Sequence, residues 1–188
     1  MSNEKYDGLI LRCDSTRIKE TWVGGRYYSV LPTEEIPNGV ACNLGNYVES
    51  SVEIKEMLEI TNPNDIYIVI NPEINQSDKS KIDYTLGSQR HRPNKAVPTV
   101  KLQEMDIVSL SEDFLGDDVS IGNLKKGMIL QYSVKGDKLV SVYRDGLGLK
   151  IVNIKNSNIP ELVYNEEEDK NIKQIYKMIV FEVVKVTS

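Results

Sequence analysis

Apolar positions along the chain come in short runs, each bounded by turn residues, a pattern that predicts many short strands in a sandwich or barrel. Gly8 to Cys13 reads as a first strand. Thr21 to Leu31 reads as two strands around Gly24-Gly25, a pair suited to a tight hairpin. Pro37-Asn38-Gly39 turns the chain into a strand from Val40 to Leu44. Val52 to Ile60 fits either a period of 2 or a helical stripe. Nine residues in β-rich surroundings favour strand. Asn62-Pro63-Asn64-Asp65 is a strong turn signal, and Ile66 to Ile70 after it is apolar on both faces and therefore expected to be buried.

Strands resume at Val100 to Leu102, Ile107 to Leu110 and Met128 to Val134. One hairpin is expected through Lys135-Gly136-Asp137 to Leu139–Arg144, and a second through Asp145-Gly146 to Leu149–Ile154. Ile175 to Val186 carries apolar residues on both faces and reads as a central closing strand. The run Glu166 to Lys170 reads as a solvated loop. Leu102-Gln-Glu-Met-Asp-Ile107 and Leu124-Lys-Lys-Gly-Met-Ile129 each place a Leu five residues ahead of an Ile that opens a strand. The reading here is a common way of entering a barrel strand rather than a repeat.

Composition agrees with strands. The 188 residues include 19 Val and 19 Ile but only 2 Ala, with 15 Asn and 12 Gly for turns. Ala is the best helix former and β-branched residues suit pleated sheets, so an all-α protein is excluded and an all-β fold, barrel- or sandwich-like, is expected. The length suits a single β-rich domain over 1–188. Within it, N-terminal strands in 1–70 would be joined by a long loop, 71–99, to a C-terminal barrel in 100–188.

The formal net charge of -5 argues against a dedicated nucleic-acid binder, which carries a basic face. The polar start MSNEKYDG does not read as a signal peptide, and the apolar runs fall short of a bilayer span, so a soluble protein made in a reducing cytoplasm is expected. Cys13 and Cys42 alone make neither a disulfide framework nor a zinc site.

Candidate chemistry is sparse. The single histidine, His91, sits between Arg90 and Arg92 with no carboxylate adjacent in sequence. It could act as a base for Cys13, Cys42 or a serine, but a solvated loop histidine is the plainer reading. Glu112-Asp113 and Asp117-Asp118 fit no calcium loop and read as a solvated turn. Gly146-Leu147-Gly148 reads as a hairpin rather than a phosphate cradle. Neither catalytic, cofactor-binding nor metal residues are assigned, and no cofactor is expected. The best contact candidates lie in the long loop: Lys79, Lys81, Tyr84, Arg90, His91, Arg92 and Lys95. Trp22 with Tyr27 and Tyr28 reads first as a buried aromatic group and second as a contact patch.

Ile66-Tyr-Ile-Val-Ile-Asn-Pro72-Glu73-Ile74, then the basic segment Arg90 to Val100, then Leu102-Gln-Glu-Met-Asp106-Ile107, occur in this order. That order resembles a group of tailed-phage and prophage head proteins, auxiliary or decoration proteins found beside the major capsid protein. Pro37-Asn38-Gly39-Val40 and Leu124-Lys-Lys-Gly127-Met128 fit the same order, whereas Met105 stands where the pattern has Gly. The resemblance implies a β-rich, non-enzymatic protein of the virion that binds the capsid lattice in many copies, with trimers one arrangement. It would be made in the bacterial cytoplasm and would need no membrane or nucleic acid. A tail or baseplate protein, a nucleic-acid-binding β-barrel and an enzyme built on His91 are the alternatives.

Overall fold

The computed structural model describes residues 9, 11–18, 28–49, 51–70, 90–142, 144–157, 161–165 and 170–187, and it is built almost wholly of strands. In chain order these begin with β1 (Cys13–Arg17), β2 (Tyr28–Leu31), β3 (Ile36–Pro37), β4 (Ala41–Tyr47) and β5 (Ile54–Leu58). There follow β6 (Tyr67–Val69), β7 (Arg90–His91), β8 (Val97–Lys101), β9 (Ile107–Ser111) and β10 (Ile129–Tyr132). The last five are β11 (Leu139–Ser141), β12 (Gly146–Asn156), β13 (Glu161–Asn165), β14 (Lys170–Gln174) and β15 (Lys177–Val186). Two 3₁₀ turns, Glu112–Phe114 and Ile121–Asn123, are the helical elements among the described residues.

The fold is all-β, as the composition predicts. The closed barrel, however, is formed by β2-β5-β4-β6-β8, within residues 28–101, and not by 100–188. The C-terminal strands form an open six-stranded sheet in the order β1-β9-β15-β12-β10-β11. Its two edges, β1 and β11, do not meet, so the sheet cannot close. Barrel closure depends on β2, which pairs parallel with β5 on one side and antiparallel with β8 on the other. One continuous hydrophobic core runs through both layers, from Val30, Ile68 and Val100 in the barrel to Leu110, Leu149 and Phe181 in the sheet.

The buried run Ile66 to Ile70 is a barrel wall, with β6 between β4 and β8. The turn before it is held by buried Asn43. That side chain donates to the carbonyls of Asn62 (3.1 Å) and Asp65 (2.7 Å) and accepts from the amides of Thr61 (2.8 Å) and Asn62 (2.7 Å). A buried amide that makes all its bonds fixes the turn instead of weakening the core.

Several expectations shift. The first described strand starts at Cys13 and runs to Arg17, polar in sequence because it is an edge strand that pairs, among the described strands, with β9 alone. Asp145-Gly146 is not a hairpin: β11 pairs with one edge of β10 and β12 with the other. Gly146-Leu147-Gly148 accordingly lies inside β12. The expected Gly24-Gly25 turn and the residues Glu166 to Asp169 lie outside the described residues, while Lys170 opens β14.

The two Leu…Ile segments turn out to be equivalent. Met105 N–H donates to Val183 O (2.8 Å), Val183 N–H donates back to Asp106 O (2.8 Å), and Asp106 N–H reaches Gln103 O (3.1 Å). Gly127 N–H donates to Ile151 O (2.8 Å), Ile151 N–H returns to Met128 O (2.8 Å), and Met128 N–H reaches Lys125 O (3.1 Å). Ile107 stands opposite Glu182, Ile129 opposite Lys150, and Lys150 opposite Glu182. The four strands β9-β15-β12-β10 are therefore related by an approximate two-fold axis through the Lys150–Glu182 pair. The echo in the sequence is a structural repeat.

Both turns take a positive φ, 71° at Met105 and 87° at Gly127. A left-handed backbone strains an L side chain and suits glycine. Met105 is 68% exposed, so its side chain gains little packing in return. Met105→Gly should therefore stabilise the protein by about 0.5–1 kcal/mol, the strain relieved less the added freedom of the unfolded chain. The midpoint of thermal unfolding should rise by about 1–3 °C.

Gly136 answers to a harder constraint. A Cβ there would lie 1.8 Å from the carbonyl oxygen of Ala41, whereas nothing lies within 4 Å of one at Gly127. Gly136→Ala should cost about 2–4 kcal/mol in urea unfolding, and Gly127→Ala only about 1 kcal/mol. Equal losses at the two positions would contradict the close approach.

Candidate functional site

Of the loop residues singled out in the sequence, Lys79, Lys81 and Tyr84 lie outside the described residues. Arg90 and His91 form β7, which pairs with β3 in the register Ile36↔His91 and Pro37↔Arg90. This pairing makes His91 half-buried rather than a solvated loop residue. Its Nε2 lies 2.7 Å from Asn38 Oδ1, and partial burial lowers the imidazole below its ordinary pKa. A neutral ring that donates from Nε2 satisfies the contact.

His91 is not paired with a thiol. Burial pushes Cys42 up to about 12 and raises Cys13 further, with Asp14 adding to the effect, so both sulfurs are protonated. Protonated, buried thiols are poor nucleophiles. The acidic segments also diverge. Glu112 Oε1 accepts from the Lys177 amide at 2.9 Å, and Asp118 Oδ2 accepts from the Ser141 amide at 2.9 Å. That bond from Ser141 holds the Asp118 carboxyl below its usual range. Among the described residues no group of three His, Cys, Asp or Glu side chains is placed to hold a metal. Of the aromatic group, Trp22 and Tyr27 lie outside the described residues. Tyr28 is half-buried, edge-on to Tyr67 at 5.6 Å between ring centres.

Past β7, Arg92 and Lys95 stand exposed on a turn fixed by Asn94. Asn94 has a φ of 57°, and its N–H donates to Pro32 O at 2.9 Å. Asn tolerates this backbone better than most residues, so the basic turn is preformed. Among the described residues neither Arg92 nor Lys95 has an ion-pair partner.

Pro32 is also a wall of a groove of about 320 Å³ at the junction of barrel and sheet. Its apolar lining residues are Ile36 and Val40 before β4, both buried, with Met57 and the exposed Leu58 at the end of β5. Its rim carries Glu34, Glu59 and Asp137 against a single cation, Lys135. Lys135 and Asp137 come from the β10–β11 turn, which docks on the barrel through Ala41 N–H to Gly136 O (2.8 Å) and Ile60 N–H to Val134 O (2.7 Å). No sequence signal marked this groove, because its walls are segments far apart in the chain that barrel pairing and that docking bring together.

A second feature belongs to neither the barrel nor the six-stranded sheet. β12 and β15 pair without interruption to Asn156↔Lys177, apart from a bulge at Val152, and Ser157 N–H donates to Tyr176 O at 2.7 Å. Immediately beyond, β13 and β14 form a ribbon of their own, from Glu161↔Gln174 to Asn165↔Lys170. No third described strand pairs with either. The ribbon extends the central hairpin of the sheet. Leu162-Val163-Tyr164, rich in strand formers, was the sequence signal available for it.

Comparison with known protein families, with curated proteins and with solved structures found no match to this chain.

The position of His91 sets a pH dependence. The ring is neutral in the fold and titrates below its ordinary value of 6.5, so the unfolded chain binds more protons as pH falls past that value. Its contribution is complete above 6.5 and is lost as pH drops toward the folded pKa. His91→Gln, which can still donate to Asn38, should remove that part of the slope between about pH 7.5 and 5.5, above most carboxylate titration. Urea unfolding of both proteins across this window measures it, and parallel curves would exclude His91 as the source.

Proposed function

We propose that this chain is a structural component of a tailed-phage head, of the auxiliary or decoration type, that docks on the lattice of the major capsid protein. The observation that carries the reading is the β13–β14 ribbon. A lone two-stranded ribbon is marginal in water, and both its outer edges offer unpaired backbone groups among the described strands. Natural sheets avoid such edges unless a partner covers them. Pairing with a strand of the capsid protein would supply backbone hydrogen bonds along either edge.

The order of segments described above, Ile66 to Ile74, Arg90 to Val100 and Leu102 to Ile107, supports the same reading through its resemblance to head proteins. The anchoring of the ribbon supports it further. Its base continues a ten-residue strand, β15, that lies between β9 and β12. A load on the ribbon is thus passed to the centre of the sheet. Many copies on one shell would let individually modest contacts act together.

The purified chain should co-sediment with shells assembled from the major capsid protein of the phage that encodes it, saturating at one copy per equivalent lattice position. Replacing residues 159–174 by Asn-Gly, which closes the hairpin where Ser157 already meets Tyr176, should weaken that binding about tenfold or more. The urea transition of the body should stay in place. Undiminished binding by the shortened chain would remove the ribbon from the contact. Binding to tail tubes or to oligonucleotides in place of shells would overturn the assignment to the head.

A further inference from the structure

We infer that the groove and the basic turn beside it form one self-complementary face through which two copies of this chain associate. The rim of the groove carries three carboxylates, on Glu34, Glu59 and Asp137, against the one ammonium of Lys135, a net of -2. The turn beside it carries +2, on Arg92 and Lys95. The bond from Asn94 N–H to Pro32 O joins the two features, so they lie side by side.

Within one molecule the turn is tied outside the groove that it would complement. Across a two-fold axis each partner can set its turn against the other's groove, because an isologous contact uses the same patch on both copies. Adjacent complementary features suit such a pair. A head-to-tail ring would need them on different faces. Leu58, 45% exposed beside Met57 and Glu59, is the apolar side chain that a second copy would also cover while its cations meet the acidic rim. Asn94 holds the turn in a left-handed backbone, and little ordering is left to be done on association. The inference does not depend on what the ribbon engages.

Sedimentation equilibrium of the full chain tests it. The wild-type protein should form pairs whose dissociation constant rises steeply with salt. Arg92→Glu with Lys95→Glu should raise that constant about 100-fold, as should Glu34→Lys with Glu59→Lys, since each places like charges together. An equimolar mixture of the two double variants should pair again, because the reversed turn of one then meets the reversed groove of the other, while the second contact joins an unchanged turn to an unchanged groove. All four positions are exposed, so the urea midpoints of the variants should match the wild type. A wild-type chain that stays single at all concentrations would overturn the inference. So would association untouched by either double variant, or variants that fail to pair when mixed.

Discussion

The structure turns on the docking of one tight turn, at the tip of the β10–β11 hairpin, onto the barrel. The amide of Ala41 donates to Gly136 O and that of Ile60 to Val134 O, so β4 and the end of β5 treat the turn as a fragment of an extra strand. Tyr132, fully buried one step away, donates its hydroxyl to Gly39 O at 3.0 Å, and burial raises its pKa well above the ordinary value. The approach is backbone against backbone, which is why no side chain fits at Gly136. Without it, two half-covered layers would each expose an apolar face. With it, they share one core. The groove is a by-product, since its rim residues Lys135 and Asp137 ride on the same turn.

The approximate two-fold axis of the sheet accounts for the length of its central hairpin. β12 and β15 lie across the axis and each receives one of the equivalent turns, at Ile151 and at Val183. The two ends of this hairpin meet different fates. At one end Leu147 N–H donates to Pro63 O (2.8 Å), and the pair abuts the barrel. At the other end Glu112 accepts from the Lys177 amide and Arg12 meets the Tyr176 hydroxyl, and beyond Ser157 and Tyr176 the described strands are those of the ribbon.

Local chemistry made much of this legible. Ile66 to Ile70, Ile107 to Leu110 and the turn at Asn62 to Asp65 were readable because strand period and turn residues act within a few positions. What failed depended on distant partners. Nothing near Asp145-Gly146 says that β12 must pass to the far edge of β10, since turn residues report a reversal and not the neighbour reached. Half-burial of His91 depends on Ile36, which meets it across the β3–β7 pair. Met105 hid the equivalence of the two turns, because a methionine does not advertise the positive φ that Gly127 does. The groove was beyond reach for the same reason: it exists only where Pro32, Met57 and Lys135 converge.

The net charge of -5 takes a different meaning once positions are known. Copies of an acidic protein crowded side by side repel one another, and the repulsion is long-ranged only at low salt. The two proposed contacts meet this problem by different physics. Strand pairing at the ribbon rests on neutral backbone groups, whose hydrogen bonds depend little on ionic strength. The face at Arg92 and Lys95 rests on charge, which salt weakens while it also quiets the general repulsion. Placing the charged contact at a preformed turn and the neutral one at the end of an arm separates them in salt response. A shell bound through the ribbon would then keep its copies at ionic strengths that dissolve the pairs.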